Sequence, residues 1–486
     1  MRIVYIDIDT LRLDHLGCYG HSRPTSPNID ALAAAGARFE QVYASDSPCL
    51  PSRAALMTGT FGFRNGVVNH GGERADPHPE GPSRGRQSHI ARRSLPALLG
   101  RTGHWCSTIS TFGERHSAFQ WYAGFNEVLN LGTDGMETAD QVGREAIDWL
   151  IRRGHLDDWF LHVHFWDPHT PYRTPAEYPS PWPAGPTETW IGAEELSAHW
   201  QLPGPHSAQD VLGFGTEPDS AFPRQPSRIR TGDDVQAMLD GYDLGVSFAD
   251  HHVGRILEHL DRLGLLDDTA VVVSSDHGEN LGELGIYGDH QTADAMTHRI
   301  PLIVKWPGAP AGVVDRRLRY HLDLAATLVD LTGTPVPDEW DGTSFADVVT
   351  GGEDPGRDHL VLSCAAWSTQ RAVRFDRWLY IRTFHDGFHG FPEHMLFDLE
   401  NDPYERHDLA GRRPAEVAQA SGLLEQWTAQ MLARTPGSTD PLQTVLGEGG
   451  GYYVRHRLAD YLDRLRATGR ADWADRLAAG RHPDPD

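Results

Sequence analysis

The sequence predicts an α/β protein: a large, mostly parallel or mixed central sheet with helices on both faces, followed by a small domain with an antiparallel sheet. Three observations carry this. Over the first two-thirds of the chain, short apolar runs alternate with helical stretches, the pattern of a parallel sheet covered on both sides. After about Gly356 the character changes to short strands joined by turns. A length of 486 residues exceeds what one hydrophobic core normally organises, so a large domain and a smaller one are expected. The expected boundaries are 1–356 and 357–486, with 175–233 as a loop-rich insertion in the first.

The run IVYIDID at 3–9 is the first strand. In SPNIDALAAAGARF, Ser26 is read as an N-cap, Pro27 as the first helical position and Gly36 as the stop. RSLPALLGRTG and TADQVGREAIDWLIRRG carry helical apolar spacing, and WFLHVHFWD at 159–167 is a strand. A helical pattern from about Asp233 to Leu263 stops at Gly264 and leads into the strands TAVVVSSD and IPLIVKWP. Between about Pro175 and Asp233, Pro, Gly, Ser and Trp dominate. Loops this long inside a domain are usually functional or disordered, so the segment is expected to border a pocket. Beyond Gly356, HLVLSC, RAVRFDRWLYIRTF and HMLFDL read as strands. A helix closes near 413–434, and RHRLADYLDRLRATGRADWADRLAAG is an amphipathic helical tail.

A formal charge of −25 argues against a nucleic-acid partner, since phosphate backbones need a surplus of Lys and Arg. An anionic substrate must instead enter a locally positive pocket against the global field. No basic and apolar leader precedes the first strand, and no apolar run approaches the roughly 18–20 residues that span a bilayer. The expectation is a soluble cytoplasmic protein with no membrane partner. Cys18, Cys49, Cys106 and Cys364 show no paired spacing, so no disulfide framework is expected.

The most informative stretch is SPCLPSRAALMTG at 47–59. Pro51 suits a first helical turn and Gly59 a stop, which puts Cys49 at a helix N-terminus, where free N–H groups and the dipole favour an anion. Arg53, one turn on, adds a fixed charge able to pair with oxyanions in a bidentate way. Taken alone, the stretch equally fits a buried cysteine beside an ordinary cap.

CLPSR at 49–53 resembles the C-x-P-S-R signature of the type I sulfatases of the alkaline phosphatase superfamily. The resemblance implies an alkaline phosphatase-like fold and conversion of Cys49 to formylglycine by a maturation enzyme. The aldehyde's hydrate would be the nucleophile. IDTLRLDHLGCYG at 8–20 resembles the family's first block. Asp9, at the C-terminal end of a strand where open α/β sheets place ligands, matches its first metal-binding aspartate. Thr10 stands where many members have a second aspartate. Asp7, on the same strand face as Asp9, either compensates as a ligand or is a buried hydrogen-bonded carboxylate.

SSDHGENLGELG supplies Asp276 and His277 as the partner ligands. The implied cofactor is one divalent cation held by Asp9, Asp276, His277 and the residue at 49. Oxygen ligands favour calcium or magnesium, and the histidine keeps manganese or zinc open. HFWDPHTPY carries His169 at the position of the family's active-site histidine, the acid for a leaving alkoxide, while His162 and His164 read as core or supporting residues. FGERHSAF at 112–119 stands where many members read G-K-W-H. His116 keeps the histidine as partner or base for the hydrate, Glu114 takes the lysine position, and Arg115 is the candidate substrate-binding charge. Where a sulfate-binding lysine is expected, the chain offers Asp289 or His290, and His290 is the candidate for substrate binding and leaving-group assistance. HMLFDLENDPYERHDLA at 394–410 resembles the family's closing strand, so the resemblance runs from about residue 2 to 410.

What this implies is hydrolysis of a sulfate ester on a small sulfated saccharide or an aryl or alkyl sulfate. The alternatives are a phosphonate monoester or phosphodiester hydrolase of the same superfamily, or a catalytically silent glycan-binding relative. Trp182, Trp190 and Trp200 in the insertion either stack on a sugar or simply pack within the loop.

Overall fold

The computed structural model describes residues 1–78, 92–183, 185–215, 218–435 and 439–480. Positions 184 and 216–217 of the expected insertion, and 436–438 and 481–486 of the expected second domain, lie outside the described residues.

The first strand, Arg2–Ile8, sits in the middle of a nine-stranded sheet between Trp159–Phe165 and Thr269–Ser274, parallel to both. Trp105–Ile109 and Glu127–Leu129 continue the parallel run on one side. On the other side Arg299–Lys305 is antiparallel to Thr269–Ser274 and to Ala37–Tyr43, with Val313–Asp315 and Arg319–Tyr320 beyond. The sheet is therefore mixed. Its central strands are buried on both faces, which is why they read as unbroken apolar runs.

Alternation along the first strand divides the core. Val4, Ile6 and Ile8 face one cluster, shared with helices Pro27–Ala35, Ala139–Arg153 and Gly232–Arg262. Ile3 and Tyr5 face the other, shared with helices Cys49–Thr58, Leu95–Arg101 and Leu322–Leu331. Ser26 occupies the expected N-cap position without capping: its hydroxyl donates to Asp30 Oδ1 at 2.9 Å and accepts from the Gly17 amide at 2.9 Å. A local carboxylate outcompetes the helix amides for this side chain. The long helix starts at Thr231, whose Oγ1 accepts from the Asp234 amide, and ends before Gly264 (φ 67°).

The smaller sheet is antiparallel through His394–Asp398, Trp378–His385, Thr369–Phe375 and His359–Cys364, and helix Pro414–Arg434 packs on it through Leu424, Trp427 and Met431. A fifth strand comes from far upstream. Asp46–Ser47 pairs parallel with Ser363 and Cys364, two residues before the start of helix Cys49–Thr58. The helical tail is two helices, Leu458–Ala467 and Ala471–Ala479, separated at Gly469 in the left-handed region (φ 81°).

Candidate active site

Three adjacent parallel strands end together: Arg2–Ile8 before Asp9, Thr269–Ser274 before Asp276 and His277, and Trp159–Phe165 before His169. Helix Cys49–Thr58 begins at the same edge. It is fastened from beneath, where the Ser52 hydroxyl donates to the Asp276 carbonyl at 2.6 Å and His321 Nε2 lies 2.8 Å from the Ser52 carbonyl.

These elements bring ligand atoms of Asp9, Cys49, Asp276 and His277 within 4.8 Å of one another, all four residues buried. His277 spends Nδ1 on the Gly278 carbonyl at 2.8 Å and turns Nε2 to Cys49 Sγ at 3.1 Å. Asp9 Oδ1 and Asp276 Oδ2 are buried without a hydrogen-bond partner among the described residues. Buried carboxylate oxygens are rarely left so, and here they face a thiol and an imidazole nitrogen. Burial, outweighing Arg53, pushes Asp276 up. Against burial, the hydrogen bond with His164 and the charge of Arg53 hold Asp9 well below the usual carboxylate range. The donor set, with two carboxylate oxygens that accept no hydrogen bond, fits one divalent cation. Burial and the charges of Asp9 and Asp276 push the Cys49 thiol well up, so the unmodified side chain stays protonated.

Arg53, expected to pair with oxyanions and to hold the hydrate and the metal shell, lies against two carboxylates of that shell. Its guanidinium donates through Nη1 to Asp7 and through Nη2 to Asp9 Oδ2 at 2.8 Å, with Asp276 Oδ2 at 3.1 Å and out of line for a hydrogen bond. It also lies over the Phe112 ring at 5.0 Å. Three buried carboxylates occupy both of its Nη groups, while Nε has no hydrogen-bond partner among the described residues. The two readings of Asp7 are resolved by the same contacts: it accepts from Arg53 and from His162 Nε2 at 3.1 Å and lies outside the ligand cluster. Burial opposes its charge, but Arg53 and His162 hold it down to about 2. His164 Nε2 sits 3.2 Å from Asp9 Oδ2, a supporting position. Thr10 contributes its backbone, the amide donating to Asp276 Oδ1 at 3.3 Å from a left-handed conformation (φ 56°).

Outside the cluster a cavity of about 300 Å³ is lined by Cys49, Arg115, His116, His169 and His290. His169 donates from Nδ1 to the Thr170 carbonyl, which leaves Nε2 as its free nitrogen. Its ring is 5.4 Å from that of His290, and the His290 ring is 4.1 Å from that of His277. Burial pushes His290 down to about 3 and leaves its Nδ1 unpartnered. Burial and the Arg115 charge push His116 down to about 3, and it packs edge-on against His70 at 4.7 Å. Arg115 lies over Trp166 at 5.0 Å and donates to the Asp134 carbonyl at 3.2 Å, while Glu114 is not among the lining residues.

The cavity also uses residues without a readable local pattern: His70, His206, Gln225, Trp367 and Tyr453. His206 pairs with Asp289 Oδ2 at 2.9 Å. The insertion does border the pocket, but through His206, Leu212 and Gln225. Its tryptophans do not line this cavity: Trp182 lies beneath Arg23, Trp190 stacks on Tyr404 and Trp200 lies beneath Arg230. The one hint for His70 was its place before a Gly-Gly pair, and Trp367 and Tyr453 carried none.

The family model described as "Sulfatase" matches residues 2–334, about two-thirds of the chain. The chain belongs to the sulfatase family. A second model, for the C-terminal part of N-sulphoglucosamine sulphohydrolase, matches residues 282–430. Among curated sulfatases, the chain is 28% identical to a choline-sulfatase of Rhizobium meliloti, over 82% of this chain and 80% of that protein. It is 24% identical to an N-acetylglucosamine-6-O-sulfatase of Bacteroides thetaiotaomicron, over 94% and 90%. The fold matches that of a phosphonate monoester hydrolase from Silicibacter pomeroyi with a TM-score of 0.67 at 20% identity, covering 90% of this chain and 96% of that one. This sulfatase has the alkaline phosphatase-like fold and is an enzyme, a hydrolase of sulfate esters. Among the described residues, no helix is long and apolar enough to cross a membrane.

Proposed function

We propose that this sulfatase cleaves a small sulfate ester through a formylglycine made from Cys49, with one divalent cation held by Asp9, Asp276, His277 and residue 49. The carrying observation is the convergence of ligand atoms of those four side chains within 4.8 Å, with two carboxylate oxygens that accept no hydrogen bond among the described residues. Calcium is the first candidate for this donor set, with magnesium or manganese as alternatives. When bound, the cation supplies Lewis-acid polarisation of the ester oxygens.

In this reading one hydroxyl oxygen of the aldehyde hydrate attacks sulfur and displaces the alcohol. The second hydroxyl then loses its proton, the C=O re-forms and sulfate leaves. Burial keeps His169 and His290 neutral at rest. A neutral His169 takes the proton of the attacking hydroxyl through Nε2 and passes it to the leaving alkoxide. His290, beside it, shares that proton. His116, neutral and with Nε2 free, takes the proton of the second hydroxyl. Arg115, in the cavity lining, supplies the local positive charge that an anion needs in so acidic a chain. Arg53 holds Asp7 and Asp9 in place. The oxidation of Cys49 needs a separate maturation enzyme as partner.

A 300 Å³ cavity suits a compact substrate such as a sulfated saccharide unit or an aryl or alkyl sulfate, and the relatives named above carry the names of small sulfated molecules. The phosphonate monoester reading rests on the fold likeness to the Silicibacter hydrolase. Two measurements test the proposal. Mass spectrometry of the peptide containing residue 49 is expected to show an aldehyde in place of the thiol, and an intact thiol in active enzyme refutes the formylglycine. Paired assays on aryl sulfate and aryl phosphonate are expected to favour sulfate, and a strong preference for phosphonate reverses the order of the two readings.

A further inference from the structure

Residues 439–480 lie beyond both family models, yet they reach the catalytic cavity. The approach is made by Gly449–Val454. Gly450 has φ 97°, and a Cβ on Gly451 would stand 2.3 Å from the Trp367 carbonyl oxygen, so the segment passes against the small sheet only because side chains are absent there. The Tyr453 amide donates to the Ala366 carbonyl at 3.1 Å, and its ring stacks on Trp367 with centroids 4.7 Å apart and planes at 30°. Glu448 accepts from the Glu73 amide at 3.0 Å and pairs with Arg455 at 2.7 Å, which fixes the turn against the loop that carries His70.

Further along, Tyr461 and Arg470 hold the buried Asp210 of the insertion at 3.1 and 2.8 Å, and Tyr461, Leu465, Ala474 and Leu477 form a small core with Trp367 and Phe388. The tail is thus fastened on both sides of the cavity mouth.

The hydrogen bonds have a direction. The Leu50 amide, in the first turn of the nucleophile helix, donates to His70 Nε2 at 3.3 Å. His70 therefore carries its proton on Nδ1 and donates it to Tyr453 Oη at 2.9 Å. The phenol is then an acceptor in this bond, and its own hydrogen has no acceptor among the described residues while the side chain lines the cavity. We propose that the tail completes the active site: Tyr453 positions His70 against the nucleophile helix and donates its free hydroxyl hydrogen to an oxygen of the bound ester, with its ring and Trp367 forming the wall that the substrate's carbon skeleton meets. This rests on the sulfate-ester reading above.

The test compares Tyr453→Phe and Tyr453→Ala with the full-length wild type. Tyr453→Phe keeps the stack and is expected to lower kcat/KM about tenfold, the loss of one neutral hydrogen bond, with an unchanged melting temperature. It should also speed hydrogen–deuterium exchange in the peptide spanning 45–57, where the Leu50 amide loses its anchored acceptor. Tyr453→Ala is expected to raise KM further and to admit bulkier alcohols. Kinetics within twofold of wild type in both variants, with exchange unchanged, overturn the proposal. If Tyr453→Ala fails to fold, the phenylalanine variant decides alone. A wild type that turns over no sulfate ester defeats the functional reading instead, and the exchange arm still decides whether Tyr453 anchors His70.

Discussion

Asp46 lies in the two-residue strand that leads into helix Cys49–Thr58, and replacing it with asparagine should make the protein more stable at neutral pH. Its carboxyl is buried, and its Oδ2 accepts from the Gly62 amide at 3.0 Å and the Ser45 hydroxyl at 2.8 Å. Burial outweighs those bonds and the nearby Arg371 and raises the group from 3.8 to about 6. A folded carboxyl that holds its proton more tightly than the unfolded one gains stability as pH falls. Its contribution is complete below about 4 and is lost as pH rises through about 6. The interval corresponds to about 3 kcal/mol of folding free energy that wild type forgoes at pH 7.5. The Asp46→Asn variant keeps an acceptor oxygen for Gly62 and Ser45 without the charge and should recover up to that amount, a rise of a few degrees in melting temperature. Calorimetry at pH 7.5 and pH 4 reads both limits, with the variant melting above wild type at the first and level with it at the second. A variant that melts at or below wild type at pH 7.5, or a gap that persists at pH 4, refutes the reasoning.

Three further outcomes are expected. Cys49→Ala should lose turnover by about a thousandfold or more while its melting curve stays near that of wild type, because only a small buried side chain is shortened; surviving activity would remove residue 49 from the chemistry. Asp276→Asn should abolish stoichiometric divalent cation, measured by elemental analysis after gel filtration, and cut the rate by at least about a hundredfold; full metal content in that variant would exclude this carboxylate as a ligand. His169→Gln should slow hydrolysis of alkyl sulfates by about a hundredfold or more and that of nitrophenyl sulfate much less, since a good leaving group needs no proton; equal losses on both would take the acid role from His169.

The strands were legible because a parallel strand buried on both faces is an unbroken apolar run, as in IVYIDI and TAVVVS. The convergence of four candidate residues has a related basis. Asp9, Asp276, His277 and Cys49, singled out by the family resemblance, sit at or just past strand ends or at a helix start, and those ends are readable in the local pattern. The contact of Arg53 with Asp7 had no mark in the sequence, because the helix that carries Arg53 meets that strand only when the two assemble. Asp46–Ser47 is too short to show any periodicity, and its pairing with Ser363 and Cys364 joins residues hundreds of positions apart. Tyr453 and Trp367 were invisible for the same reason: a stacked pair in a pocket wall leaves no mark in either local sequence.

The pairing of Asp46–Ser47 with Ser363 and Cys364 sets an order on synthesis. A ribosome builds this chain from its amino end, and residues 45–53 emerge long before the partner strand that aligns them. Until the segment through Cys364 is translated, the strand that leads into helix Cys49–Thr58 lacks this partner. An amino-terminal fragment ending before Ser363 would carry Cys49 without the strand pairing that leads into its helix.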